Sequence, residues 1–174
     1  RNFEVSSGSI GYVFPKNEFR PYEASFKWNL NKNFYKNKIV FENNEVVYFE
    51  SSGAPDFLKS DFNPIAKKGV IDPITALIYF LKNSKIENIC QSKLSIIDGY
   101  RLAHVYFDNK IRKNNDEVLC EGTLERAQGF KKNLFYRRFS KFSIYYEKKQ
   151  DGYFEVKKLW FKTFLGKIYV IVNN

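Results

Sequence analysis

The chain has 174 residues, of which 44% are hydrophobic, 18% are aromatic and 28% are charged. This length fits one domain with a sizeable core, and the composition excludes a disordered or low-complexity chain. No apolar run approaches the roughly 20 residues that cross a bilayer as a helix, so the sequence predicts no transmembrane segment. The net charge of +10 allows a polyanionic partner, but the lysines are scattered, which favours ordinary solvation of the surface.

The first third of the chain has the two-residue period of strands, and it contains many of the aromatic residues that favour sheets. Residues 2–15 predict two short strands around a Gly/Ser bend, and residues 19–30 predict a half-buried strand. Residues 35–50 predict a hairpin that turns at 43–44, where two asparagines follow each other. Residues 51–69 contain two prolines and two glycines, so they predict a long surface connection.

One segment has the pattern of a helix. Asp72 suits the N-cap, and Pro73 suits the first helical position, where its missing N–H costs nothing. Apolar side chains then recur at helical spacing, at Ile74, Leu77, Ile78 and Leu81. The sequence therefore predicts a mostly buried helix at about residues 73–82.

After the helix the period returns to two. Strand-like segments continue to residue 172, with turns predicted at 98–99, 108–109 and 151–152 and a bend near Gly166. Strands, one helix and further strands joined by short turns predict a single α+β domain over residues 1–174. We expect it to be mostly antiparallel β, with a strongly curved, half-barrel-like sheet around the one main helix.

The two cysteines, Cys90 and Cys120, do not have the spacing of a metal site. With His104 as the single histidine, the sequence offers too few ligands for structural zinc, and we predict neither a metal nor a cofactor. A catalytic cysteine needs a base, and nothing in the sequence places His104 beside either sulfur. Two free buried thiols stay open as an alternative. We favour a disulfide, which would indicate an oxidising compartment.

Asp98, His104 and Asp108 are the residues that could form an acid–base cluster. Both carboxylates fall in predicted turns, however, where Asp commonly binds its own backbone. No nucleophile–base pair, phosphate-binding glycine loop or zinc-protease motif accompanies them. The sequence therefore predicts no catalytic residue and a protein that is not an enzyme.

The segment 130–142 interleaves basic and aromatic side chains. Its basic residues are Lys131, Lys132, Arg137, Arg138 and Lys141. Cations beside aromatic rings suit single-stranded nucleic acid through stacking, or an anionic lipid surface through insertion and charge. The plainer interpretation is a connection between strands that has core aromatics and solvated basic residues.

Four stretches carry a resemblance to a known family: "GVIDPITALIYFL", "CQSKLSIIDGYRL", "LCEGTLERAQGF" and "TFLGKIYVIV", within residues 69–172. They resemble, in order, motifs of the bacterial domain-of-unknown-function family 3108, in its alphaproteobacterial exported form. The resemblance implies an exported, β-rich, periplasmic protein with no established activity, and it pairs Cys90 with Cys120. It supplies no catalytic residues, and His104 stands where the family pattern has an acidic residue.

These observations lead to an expected function. Since the chain begins at Arg1 and contains no methionine, we expect a processed chain or a fragment that lacks the family's first strands and signal peptide. We expect a non-catalytic periplasmic protein that binds an apolar or amphipathic envelope component or aids envelope assembly. The alternative is a polyanion-binding module that uses residues 130–142. In an exported protein its partner would be lipid or cell-wall polymer rather than nucleic acid.

Overall fold

The structure is a computed structural model. It describes residues 3–14, 18–30, 33–54, 61–91, 93–130, 139–163 and 166–172. Within those ranges the chain forms eleven strands and one short helix. The prediction of a mostly antiparallel β protein with one main helix is therefore confirmed.

The first sheet is an antiparallel meander of four strands in chain order. Its strands are β1 (Phe3–Phe14), β2 (Glu18–Leu30), β3 (Asn33–Glu42) and β4 (Glu45–Ser51). The predicted break of β1 into two short strands is wrong, because β1 stays paired with β2 along its whole length. The glycine-containing stretch instead shifts the register between Ile10 and Gly11, as a bulge does.

The hairpin between β3 and β4 has the turn that the sequence predicts. Asn43 and Asn44 have φ angles of 49° and 60°, so both lie in the left-handed region. Two successive positive φ angles are typical of the tight turn whose twist matches that of the flanking strands, and asparagine tolerates this conformation better than most residues. The hairpin prediction is confirmed.

The second sheet has seven strands in the order β11-β10-β9-β8-β7-β6-β5. The strands are β5 (Val70–Ile71), β6 (Lys93–Ile97), β7 (Leu102–Arg112), β8 (Glu117–Gln128), β9 (Phe139–Lys148), β10 (Phe154–Thr163) and β11 (Gly166–Ile171). The pairs β8–β9, β9–β10 and β10–β11 are antiparallel, whereas β5 and β6 are parallel. A parallel pair needs a crossover connection, and the helix lies in it.

Two of the three turns predicted after the helix are present. Gly99 and Gly152 have φ angles of 90° and 83°, which a glycine adopts without steric cost. The turn predicted at 108–109 is wrong, because β7 continues to Arg112 and the chain reverses at 113–116. The side chain of Asp108 binds neighbouring strands rather than its own backbone, so it does not favour a turn there.

The helix α1 (Pro73–Leu81) begins at the predicted cap. Oδ1 of the buried Asp72 accepts hydrogen bonds from the backbone N–H of Ile74, at 2.9 Å, and of Thr75, at 3.1 Å. The predicted burial of the apolar stripe is wrong, since Leu77 and Ile78 are 40% and 42% exposed. The buried side instead carries Thr75, whose hydroxyl donates to the Asp72 carboxylate.

The chain divides into two compact units. The first comprises residues 1–77, 95–103 and 126–136, and the second comprises residues 78–94, 104–125 and 137–174. The core of the first unit is built from apolar side chains that include Ala24, Phe26, Ile39, Phe41, Val46, Val70, Ile97 and Leu102. The single domain over residues 1–174 stays a prediction.

Four phenylalanine rings pack together in the second unit, around the buried Phe142. Phe80, Phe107 and Phe142 contact one another at centroid distances of 5.4–6.2 Å, and Phe161 lies 6.2 Å from Phe142. Gly122 leaves room for this packing, because a Cβ atom at that position would overlap the ring of Phe142. Aromatic pairs at such distances add stability beyond the area that they bury.

We predict that Asp72→Ala lowers the free energy of unfolding by about 1–2 kcal/mol, because it removes the cap and leaves two backbone N–H groups unpaired. Urea denaturation monitored by far-UV circular dichroism measures the change. Asp61→Ala, which removes an exposed carboxylate outside the helix, is the control and should stay within about 0.5 kcal/mol of the wild type. Equal stability of the two variants would contradict the capping role.

Candidate functional site

The two cysteines form a disulfide in the second unit. Cys90 and Cys120 are joined, with a Cα–Cα distance of 5.4 Å and a separation of 30 residues. Cys120 is fully buried on β8, where it pairs with Ile144 of β9. Cys90 lies in the turn at 86–90 with a φ angle of 62°. The bond therefore holds a turn with an unfavourable backbone conformation against the sheet.

Asp98 occupies the turn that the sequence predicts for it. Its carboxylate accepts hydrogen bonds from the backbone N–H of Tyr100 and Arg101, at 3.1 and 2.9 Å, and from Arg101 Nε, at 2.8 Å. The Tyr100 hydroxyl donates to the carbonyl oxygen of Gly53 at 2.7 Å, and Asn37 Nδ2 donates to the carbonyl oxygen of Asp98 at 2.8 Å. These bonds fasten the turn to the first sheet, which is a structural role.

Asp108 lies on β7 in the second unit, in contact with the two strands beyond it. Its Oδ2 atom lies 2.7 Å from Thr123 Oγ1 and 2.8 Å from Lys141 Nζ. The ammonium also lies 2.7 Å from Thr123 Oγ1. Partial burial raises the pKa of the Asp108 carboxyl, but the hydrogen bonds and the positive charge of Lys141 outweigh it, so the net pKa is lowered. Asp108 on β7 and Lys141 on β9 therefore form an ion pair between strands.

The two carboxylates of the possible acid–base cluster make separate sets of contacts. Asp98 is paired with Arg101, and Asp108 is paired with Lys141. His104 is half-buried on β7, four residues from Asp108 and therefore on the same face of the strand.

One of the five predicted polyanion-binding residues can be placed. Lys141 lies on β9, where its ammonium is held by a carboxylate and a hydroxyl group. Lys131, Lys132, Arg137 and Arg138 lie outside the described residues. Their role in binding polyanions stays a prediction.

An exposed apolar surface, which the sequence did not single out, lies at the end of the second sheet. β11 is the terminal strand, and its residues Tyr169, Val170 and Ile171 are 49%, 43% and 65% exposed. Because successive side chains of a strand point to opposite faces, exposure of three in a row leaves both faces uncovered. On β10, Trp160 is the register partner of Tyr169. Lys158 is the partner of Ile171.

We name this surface the β11 edge and define it as Lys158, Trp160, Tyr169, Val170 and Ile171. The Lys158 ammonium lies 4.3 Å from the ring centroid of Tyr169 and 5.9 Å from that of Trp160. A cation this close to two rings is attracted to their faces. The only sequence signal for the site is a run of large apolar residues beside lysines in the last strand, which also fits a buried strand.

The described ranges contain no group of three or more His, Cys, Asp or Glu residues placed to hold a metal ion. They also contain no helix with the length and apolar character that a membrane crossing requires.

Comparison with known proteins gives no assignment. No model of a protein family, no curated protein and no solved structure matches the chain. The resemblance to family 3108 therefore stays a prediction, as do the export and the function that it implies.

We predict that native, non-reduced protein has an intact mass about 2 Da below the reduced mass and that thiol reagents label neither Cys90 nor Cys120 before reduction. Replacing both cysteines by alanine should lower the free energy of unfolding by about 3–4 kcal/mol, because the cross-link restricts the unfolded chain. Mass spectrometry and urea denaturation test the two parts. Stoichiometric labelling of native, non-reduced protein would refute the bond.

We predict that the ion pair of Asp108 and Lys141 makes stability depend on acid pH. Since folding lowers the pKa of Asp108, the pair stabilises the protein above the ordinary value of 3.8, and this contribution is lost as the pH falls through the lower, folded value. The pair is largely exposed, so its contribution is small, about 0.2–1 kcal/mol.

The test compares the wild type with Asp108→Asn and Lys141→Met by urea denaturation from neutral pH to below 3.8. Both variants should be less stable at neutral pH and should lose less stability on acidification. Parallel pH profiles of all three proteins would contradict the assignment.

Proposed function

We propose that this protein is a non-catalytic, periplasmic binding protein that holds an apolar or amphipathic component of the cell envelope at the β11 edge. The observation that carries the proposal is the consecutive exposure of Tyr169, Val170 and Ile171. Large apolar side chains that adjoin on a surface mark sites of interaction with proteins, ligands or membranes. An exposed terminal strand of this composition also tends to aggregate unless it has a partner.

The disulfide supports the proposed location in an oxidising compartment. Disulfides persist in oxidising environments and are rare in reducing ones. Cys90 and Cys120 are bonded, and no other cysteines occur in the chain. The bond is compatible with the export that the family resemblance implies, and periplasmic location is part of the proposal.

The packing of the second unit favours a ligand on the surface rather than beneath the helix. Phe80 of α1 contacts the rings of Phe107 and Phe142, which occupy the space between that helix residue and the sheet. The strongly curved, half-barrel-like sheet stays part of the proposal, with its concave side filled by these rings. The β11 edge is open to an incoming ligand without repacking them.

The ionisable groups support a non-catalytic role. Acids and bases in active sites are commonly tuned toward neutral pH. In the described part of the chain, the pKa values that differ from the ordinary ones move away from neutral pH. The pKa values of Asp108 and Glu155 are lowered, and the pKa of Tyr145 is raised to about 12, chiefly by its hydrogen bond with Glu117. These groups therefore keep their ordinary charges near pH 7.

Polyanion binding through residues 130–142 is the second candidate. In the first unit, the guanidinium groups of Arg101 and Arg126 lie 5.4 and 5.9 Å from the ring centroid of Phe130, which makes a basic and aromatic start to this segment. The Lys141 ammonium, however, is already paired with a carboxylate, which reduces its attraction for an anion. We therefore rank this function below amphiphile binding.

We predict that Trp160 reports the binding of an amphiphile. The chain has two tryptophans, so Trp28→Phe leaves Trp160 as the single emitter. Titration of this variant with lysophosphatidylcholine, a neutral amphiphile, should shift the emission to shorter wavelength, because the lipid displaces water from the ring. Ile171→Ser in the same background should weaken binding about tenfold, since it removes an exposed apolar side chain.

Ile111→Ser is the matched control, because Ile111 is an exposed isoleucine on β7, away from the edge. It should bind like the Trp28→Phe parent. An unchanged Trp160 spectrum at saturating lipid would refute binding at the β11 edge. Equal weakening by both serine variants would show that the effect is not local to it.

A further inference from the structure

Resting on the proposed function, we infer that the natural ligand of the β11 edge is the surface of an anionic lipid bilayer, on which the protein docks without crossing it. The hairpin of β10 and β11 combines exposed apolar residues with excess positive charge. A bilayer that contains acidic phospholipids offers an apolar interior beneath a negative surface, so it complements both features.

The charge of the hairpin is unbalanced. Residues 154–171 carry four lysines, at 157, 158, 162 and 167, and one carboxylate, that of Glu155. Glu155 is held by Lys157, at 2.6 Å, and by Lys149 of the preceding turn, at 3.1 Å. The single carboxylate is therefore committed to partners at the start of β10, whereas the lysines at 158, 162 and 167 lie farther along the hairpin.

Lysines occupy register positions on both strands of the hairpin. Lys162 and Lys167 are register partners across β10 and β11. Lys158 is the partner of Ile171, and its ammonium lies against the ring of Tyr169. Each lysine near an anionic membrane surface strengthens partitioning about fivefold. Three such residues on one hairpin can select anionic over neutral bilayers.

The aromatic and aliphatic residues have the chemistry of an interfacial site. Tryptophan and tyrosine favour the headgroup region, where their rings are buried and their polar atoms stay hydrated. Trp160 and Tyr169 are neighbours across the hairpin and provide this layer. Val170 and Ile171 are among the exposed large apolar side chains of the described chain and can reach the acyl boundary. Lysine stems can lie along apolar surface while the ammonium contacts phosphate.

Charge also argues against two other occupants of the edge. A second copy of the chain paired along β11 would add a hairpin with the same excess of positive charge, and like charges across an interface oppose association. Nucleic acid would satisfy the lysines but would leave Val170 and Ile171 against phosphate or water, since aliphatic side chains do not provide the aromatic stacking that binds bases. An acidic protein surface is a third possible occupant, and binding to an immobilised acidic polymer distinguishes it from a bilayer.

The test is co-sedimentation of the full-length, oxidised protein with two kinds of vesicle, one of phosphatidylcholine and one of phosphatidylcholine mixed with phosphatidylglycerol. We expect the anionic vesicles to bind at least tenfold more protein at low salt, and this preference should fall as salt screens the charges. Equal binding to both vesicles at low salt would overturn the inference.

Two variants and two controls locate the contact. Lys158→Gln should lower partitioning into anionic vesicles about fivefold, and Ile171→Ser should lower it about tenfold. Lys85→Gln and Ile111→Ser, which change exposed residues outside the hairpin, should partition like the wild type. Circular dichroism establishes that each variant is folded. Wild-type partitioning of both hairpin variants would overturn the inference even if the protein binds vesicles elsewhere.

The outcome is separable from that of the proposed function. Binding of lysophosphatidylcholine without preference for anionic vesicles would keep amphiphile binding and overturn bilayer docking. Failure of both lipid tests would remove both proposals. Retention of the protein by immobilised polyglutamate, without vesicle binding, would overturn bilayer docking in favour of an acidic protein partner. Concentration-dependent dimerisation that Ile171→Ser abolishes, again without vesicle binding, would do so in favour of a second copy.

Discussion

The disulfide is the constraint on which the second unit depends. Cys120 is buried on β8, and Cys90 lies in the turn that precedes β6. The Cα–Cα distance of 5.4 Å is close to the spacing of neighbouring chains in a sheet, so the turn itself lies against β8. The adjacent Ile89 is almost completely buried, so covalent and apolar contacts hold the same turn. The chain that leaves the helix is thus fixed at both ends of its path, by Phe80 and by Cys90.

Local rules predicted the parts of the fold that local interactions decide. The asparagine turn at 43–44 and the cap at Asp72 follow from the preferences of those side chains for particular backbone conformations, and both are present. The orientation of the helix was missed because the bond between Asp72 and Thr75 puts a polar pair on the buried side, leaving Leu77 exposed. A turn was wrongly predicted at Asp108 because the partners of its side chain, on two other strands, are distant in sequence.

The candidate site was less predictable than the fold. Alternation reveals that a strand has two faces, but strand order decides whether either is covered, and the sequence does not state that order. The last strand has the composition of a buried one, yet it is terminal in the sheet, and its Tyr169 and Ile171 are exposed. Polyanion binding could be predicted for the basic segment 130–142 because its lysines and arginines lie close together in the sequence. On the hairpin, by contrast, Lys158 and Tyr169 become neighbours only when β10 and β11 pair.

The net charge of the chain is less informative than its distribution. Lys38 is paired with Glu23, and Lys141 is paired with Asp108, so these lysines contribute little field beyond their own neighbourhood. Exposed pairs of this kind also add little stability, and their main effect is to cancel charge locally. Lys158 instead lies beside an aromatic ring at an apolar edge. An apolar surface alone would favour any apolar ligand, and lysines alone would favour any anion. Their coincidence on one hairpin favours a partner that is apolar and negatively charged within the span of a few side chains.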